Sequence, residues 1–228
     1  MLPSLPPEIF DLIVDHLHNE PTALKACCLV SPSWIPRARR HLFARIYFWR
    51  PEYIGSWMKA FPDPSNSPAH YTRTMSIDGS VITTMKSSDA RPWVHAFHLV
   101  TRLELQGDWE GGGFSEVVDL ICSFPLVEDL WLGLSTSDSN IGDSRDTPSS
   151  SPKLNGILTL SGDEVCPIIP LLLSLPGGIH FTRITVMCTI KVTQSISDLV
   201  SRCSHTLESL AIRYCRSCAF PPSPVADL

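Results

Sequence analysis

The sequence lacks a long apolar run. Its most hydrophobic stretch, VCPIIPLLLSLP at 165–176, reaches eleven residues before Pro176 and is broken by Pro167 and Pro170. A bilayer span takes roughly 20 consecutive apolar residues, so no membrane partner is expected. A surplus of positive charge is missing too: 18 Lys and Arg stand against 23 Asp and Glu, giving a formal net charge of -5 and a pI near 5.9. Without a basic field, neither nucleic acid nor an anionic surface is expected as the main partner. An export signal needs a basic start and an uninterrupted apolar run, and MLPSLPPEIFDLIVDHL instead places Glu8, Asp11 and Asp15 there. The expected location is therefore cytoplasmic and/or nuclear, where the eight cysteines would be mostly free thiols packed as small hydrophobes.

Catalytic signatures are scarce. G-x-S-x-G, H-E-x-x-H and paired-carboxylate motifs do not occur, and EGGGFSE at 110–116 lacks the lysine and spacing of a phosphate loop. Cys215 and Cys218 form one C-x-x-C which, with Cys203 and His205, draws a four-ligand zinc site on paper. A single C-x-x-C is a weak signal, and Cys215 has a competing place in a repeat. His95 and His98 share a helical segment but lack a third ligand. No catalytic residue, metal or cofactor is assigned, and an enzyme is not expected.

What is present begins with about 40 N-terminal residues of helical pattern. Ile9, Leu12, Ile13 and Leu17 recur at three- and four-residue spacing, Pro6 and Pro7 suit a first helical turn, and Glu8 and Asp11 favour its positive end. TALKACCLV offers Leu24, Cys27, Cys28 and Val30 as a second apolar stripe, closed by Ser31 and Pro32. SWIPRARRHLF supplies a third, with Trp34, Ala38, Leu42 and Phe43. Pro36 allows this helix only if it starts near Ile35, because proline deeper inside removes a donor and clashes with the carbonyl four residues back. Adjacent Cys27 and Cys28 read as small core residues of the second helix. Three such helices bury little alone, so the module leans on a partner or on the rest of the chain.

LPPEIFDLIVDHL followed by LKACCLVSPSWIPRARRHLF resembles an F-box over residues 4–43: Leu-Pro-x-Glu-Ile, an Ile/Leu helix, Cys-x-Val-Ser-x-x-Trp and a closing Leu-Phe. The resemblance implies docking on the Skp adaptor of a cullin-RING ubiquitin ligase. Leu5, Pro6, Ile9, Ile13 and Leu17, with Leu29, Val30 and Trp34, would carry the docking face or hold it in shape. A bare three-helix cap sealing the next domain is the competing reading.

The remaining chain repeats. YTRTMSIDG, LVTRLELQG, LVEDLWLGL, LNGILTLSG, FTRITVMCT and LESLAIRYC align on Met75, Leu103, Leu130, Leu158, Ile184 and Leu210, at intervals of 28, 27, 28, 26 and 26 residues. Such spacing lies within the roughly 20–29 residues of a leucine-rich repeat, in which each strand points alternate residues inward and no repeat buries that face alone. Helices are predicted in PEYIGSWMKAF, PWVHAFHLV, SEVVDLICSF, VCPIIPLLLSL and SISDLVSRC, and LFARIYF suggests an additional opening strand. The fourth repeat places Asn155 where an apolar residue belongs, with Leu154 one position away. The polar stretch 135–153 reads as a long solvated loop, a passive insertion more readily than a phosphorylation site. The chain closes on CRSCAFPPSPVADL with no capping repeat, so a shortened product or a tail folded over the open end is expected.

The expected fold is α/β: an F-box at 1–45, an irregular leucine-rich-repeat-like solenoid with a parallel sheet at 46–220, and a tail at 221–228. F-box proteins with such a solenoid are the family it resembles, and the resemblance implies capture of a target protein by the second domain. Outward positions should line the concave face: Thr74, Ser76, Asp78; Arg102, Glu104, Gln106; Asp129, Trp131, Gly133; Ile157, Thr159, Ser161; Arg183, Thr185, Met187; and Ser209, Ala211, Arg213. Three acidic and three basic residues make a mixed surface suited to a protein partner. Arg102, Glu104, Asp129, Trp131, Arg183 and Arg213 are the target-binding candidates, with Trp131 either an anchor or packed beneath the 135–153 loop. The expected function is a non-catalytic substrate-recognition subunit of an SCF-type ligase. The alternative is a leucine-rich-repeat scaffold with an F-box-like cap and no role in ubiquitination.

Overall fold

The structure is a computed structural model that describes residues 6–109, 114–136, 153–162, 168–188 and 194–214. Three helices come first: α1 (Pro7–His16), α2 (Pro21–Val30) and α3 (Ile35–Leu42), with a 3-10 turn over Pro32–Trp34. Proline stands in the first turn of all three, where its missing N–H costs no intrahelical bond. Ser31 stops α2 in an extended conformation (φ -154°, ψ 137°), as a residue before proline favours. Its hydroxyl then accepts from the Ser33 amide at 3.4 Å. Because α3 begins at Ile35, Pro36 sits in the first turn and the third helix forms.

These helices share a small core of their own. Val14, Leu24, Cys27 and Ala38 are buried together, with Leu17, Cys28, Trp34 and Leu42 packed around them. Phe43, just past α3, joins the larger core instead, meeting Trp57 and Phe61 edge-on at 5.8 and 6.0 Å. The helical unit is thereby pinned to the helix Pro51–Ala60, which follows the first strand.

That sheet has seven strands, β1 (Arg45–Phe48), β2 (Thr74–Asp78), β3 (Arg102–Trp109), β4 (Asp129–Thr136), β5 (Leu154–Ser161), β6 (Ile179–Cys188) and β7 (Ser209–Tyr214), all parallel and in chain order. Parallel neighbours need long crossovers, and these carry α4 (Pro51–Ala60), α5 (Gly79–Lys86), α6 (Arg91–Ala96), α7 (Ser115–Cys122), α8 (Ile168–Leu173) and α9 (Gln194–Cys203). The aligned residues fall in one row, Ile46, Met75, Leu103, Leu130, Leu158, Ile184 and Leu210, each in register with the next. The opening strand in LFARIYF is β1. Met75, Leu103, Leu130, Leu158 and Ile184 are completely buried, in one core with Val81, Val117, Ile121, Ile169, Ile196 and Leu199 from the crossover helices.

A repeated hydrogen-bond device starts several strands. The Arg73 and Thr74 amides both donate to the Ala44 carbonyl, those of Thr101 and Arg102 to Arg73, and those of Glu128 and Asp129 to Thr101, all at 2.8–3.0 Å. The fourth repeat departs as its sequence hinted. Leu154, not Asn155, is buried, and the β5–β6 register shifts between Gly156 and Ile157 so that β6 carries one extra residue, Thr182. Gly156 has φ 81°, and a Cβ there would lie 2.2 Å from the Glu128 carbonyl oxygen. That oxygen accepts the Ile157 amide at 2.7 Å, so only glycine fits the irregularity.

Two expectations need correction. GSVITTMK forms α5, which the sequence reading leaves out because Val81, Ile82, Thr83 and Thr84 are β-branched and favour helix weakly. Tertiary burial of Val81, Ile82 and Met85 overrides that preference, and Asp78 caps the start by accepting from the Ser80 amide at 3.0 Å. The polar stretch starts later than 135, since β4 runs to Thr136; residues 137–152 lie outside the described residues. At the open end, where apolar edges are expected to be exposed, Leu210 and Ile212 face inward in register yet are 43% and 37% exposed, because β7 is the sheet's outer edge.

Candidate functional site

Two surfaces gather the candidate residues. On the helical unit, Val14 points into the small core, so the helical period leaves Ile9, Leu12 and Ile13 on the outer side of α1, 40%, 55% and 41% exposed. At the end of α2, Leu29 and Val30 are 88% and 67% exposed. Five large apolar side chains on two helices that share this small core are left in water, and exposed apolar surface of that kind marks interaction sites. The predicted docking set therefore divides. Pro6, Ile9, Ile13, Leu29 and Val30 face outward, while Leu17 and Trp34 are half-buried supports, Trp34 with its ring 5.4 Å from Phe10. Leu5 lies outside the described residues. Leu12, the most exposed of the α1 group, belongs to the face although the F-box pattern did not single it out.

Sequence reasoning missed what fixes α1 on α3. Asp15 receives the Arg37 Nε at 2.6 Å and Nη2 at its other oxygen, and lies 2.7 Å from His41 Nε2. Spacings of 22 and 26 residues leave no local signal for this cluster. The hydrogen bonds from Arg37, then those from His41, hold the Asp15 carboxyl well below the usual carboxylate range. A depressed carboxyl stabilises above its unfolded-state value, about 3.9, and the contribution is lost as pH falls through the folded value. Asp15→Asn is accordingly expected to cost about 1 kcal/mol or less at neutral pH, because the pair is a third exposed and solvent-screened. The gap between wild type and variant should narrow below about pH 4 in urea melts; a gap that widens on acidification would contradict the assignment.

Cys27 is buried and Cys28 half-buried, with burial raising the Cys28 thiol pKa. An elevated thiol is a poor nucleophile. Of the drawn zinc ligands, Cys215 and Cys218 lie outside the described residues. Cys203 is fully buried, its thiol also raised by burial, and His205 faces His180 with ring centroids 5.7 Å apart.

The second surface is the sheet face opposite the crossover helices. Register places Arg45, Thr74, Arg102, Asp129, Ile157, Arg183 and Ser209 in one row. Tyr47, Ser76, Glu104, Trp131, Thr159, Thr185 and Ala211 form the next. Arg102, Glu104 and Asp129 are brought together: Arg102 donates from Nε to Glu104 at 2.7 Å and pairs through Nη1 with Asp129 at 3.2 Å. The other Glu104 oxygen accepts the Ser76 hydroxyl at 2.5 Å.

Trp131 is half-buried and lies along its own strand, since a Cβ on Gly133 would meet its ring at 2.5 Å. Ser76, Gly133 and Ser161, expected to line this face, are buried. Arg183 and Arg213 are exposed near the far edge. Tyr47 and Trp49 add an aromatic stack at the β1 edge, centroids 6.0 Å apart and planes within 2°, missed because the opening strand's outward residues went unread. Neither a family model, nor a curated protein, nor a solved structure matches this chain.

Proposed function

We propose that the chain is a substrate-recognition adaptor of an SCF-type cullin-RING ubiquitin ligase. In this reading α1–α3 are an F-box that docks on the Skp adaptor, and the consecutive strands are a leucine-rich-repeat-like solenoid that holds a target protein on its open face. The observation that carries the proposal is the exposed apolar group Ile9, Leu12, Ile13, Leu29 and Val30 on a helical unit with its own small core. Such a group stays in water unless another protein covers it. The F-box-like sequence supplies the partner's identity, and the strand intervals and one-row register support the solenoid.

The chain's own contribution to rate is proximity. Holding a target near a charged ubiquitin-carrying enzyme raises the effective concentration of its lysines without any catalytic side chain here. Among the described residues no helix is long and apolar enough to cross a membrane, and the proposal places the chain in the cytoplasm and/or nucleus. Sedimentation with a reconstituted Skp adaptor and cullin tests the assignment. Co-sedimentation of all three supports it. Sedimentation apart from both sinks it in favour of a repeat scaffold with an F-box-like cap.

A further inference from the structure

We propose that the open sheet face binds an extended acidic peptide, its carboxylates at Arg183 and Arg213 and a bulky apolar side chain beside Trp131 and Ile157. The inference rests on the adaptor reading, which assigns this face to target capture, and it names the chemistry of the captured segment. By residue count the face is neutral. Its two signs are segregated along the sheet, however, and the acidic groups are engaged within the fold. Asp78 is engaged by the Ser80 amide and hydroxyl at 3.0 and 2.6 Å. Glu104 holds Ser76 and Arg102, and Asp129 is paired with Arg102. Every acidic side chain predicted for the face thus has a partner within the fold, and one arginine serves two of them.

Arg183 and Arg213 have no hydrogen-bond or ion-pair partner among the described residues, and neither does Arg45 at the other end of the row. All three are exposed. Two of these unpaired guanidinium groups thus gather at the β6–β7 end of the face, apart from the acidic side chains on β2–β4, in a chain whose net charge is -5. A guanidinium presents a planar fork of donors that matches a carboxylate in bidentate geometry.

Spacing defines the ligand further. Arg213 is in register with Met187, one strand across and four residues along from Arg183, a separation of about 14 Å at roughly 3.3 Å per residue and 4.8 Å per strand. An extended peptide covers that distance in about four residues. Ile157 is in register with Arg183, and Trp131 lies one strand further in the next row, so an apolar ledge adjoins the cationic end. Nucleic acid fits worse, since a phosphate backbone gains affinity from many cations in succession and the described residues at this end of the face supply two, Arg183 and Arg213.

The test is fluorescence anisotropy with the full chain and a fluorescein-labelled peptide of about ten residues, carrying two Glu separated by about four residues with Leu beyond one of them. The same peptide with Gln for Glu, and single-stranded DNA of matched length, complete the set. The Glu peptide is expected to bind at least about tenfold more tightly than the Gln peptide and the DNA. The Arg183→Glu/Arg213→Glu variant should lose at least about tenfold, while Arg91→Glu, an exposed arginine on α6, should bind as wild type.

Equal binding of Glu and Gln peptides, tighter binding of DNA, equal loss in Arg91→Glu, undiminished binding by the double variant, or no peptide binding at about 1 mM overturns the proposal. Titration with the Skp adaptor on the same preparations separates the two readings. Adaptor binding without peptide binding removes this inference alone, whereas peptide binding without adaptor binding removes the ligase reading and leaves this one.

Discussion

Leu103→Ala is expected to destabilise the chain by about 3–5 kcal/mol, the range for truncating a leucine in a close-packed core. Leu103 is completely buried on β3, with Met75 and Leu130 in register on either side. Its neighbours are fixed by two ladders and cannot collapse far into the cavity. For a chain of 228 residues the loss corresponds to a melting-temperature drop of roughly 10 °C, at about 2–4 °C per kcal/mol. Leu210→Ala is the internal control: it occupies the same row, but on the edge strand and 43% exposed, so it should cost about 1 kcal/mol or less. Thermal denaturation followed by circular dichroism reads both. Equal effects at the two positions would mean that the row is not buried progressively from edge to centre.

The second large effect is local. Leu24 is 1% exposed and, among the described residues, one of four buried in the small core of α1–α3. Leu24→Ala is expected to remove about 2–4 kcal/mol from that unit, which is otherwise held by the Asp15 cluster, the Phe43 contact and the packing of α3 on the 3-10 turn Pro68–Tyr71. Hydrogen exchange should then show lost protection across 7–42 with protection kept in β2–β4, because the sheet core shares no buried residue with the small one. Adaptor binding should weaken with it. Equal loss of protection in the sheet would contradict the separation of the two cores.

The parts of the fold legible in the sequence were those set by period. Met75, Leu103, Leu130, Leu158, Ile184 and Leu210 could be aligned from intervals alone, because a strand row repeats the same burial requirement at each turn of the chain. Pro6 and Pro7 marked the start of the first helix, and Pro36 limited where the third could begin, for a covalent reason; Pro21, at which α2 starts, was left outside the second helix. Helix α5 was hidden because its β-branched run obeys burial over propensity, and the shift at Gly156 because an irregularity depends on the neighbouring strand. Among the site residues, sequence supplied Ile9, Ile13, Leu29 and Val30 as apolar members of two helices. It could not supply their exposure, which follows from Val14, Leu24, Cys27 and Ala38 filling the core. The charges on the sheet face were legible as a count, but their pairing was not: that Arg102 serves both Glu104 and Asp129 depends on which strands are adjacent and on where side chains reach.

Isothermal titration of the full chain with purified Skp adaptor tests the central claim most directly. The proposed F-box predicts saturable binding by the wild type and a loss of at least about 100-fold for Ile9→Asp and for Leu29→Asp, each placing a charge in a desolvated interface. Because Ile9 and Leu29 are 40% and 88% exposed, both variants should keep the wild-type melting temperature within about 2 °C. No binding by the wild type, or undiminished binding by both folded variants, would contradict the docking face and the function proposed from it.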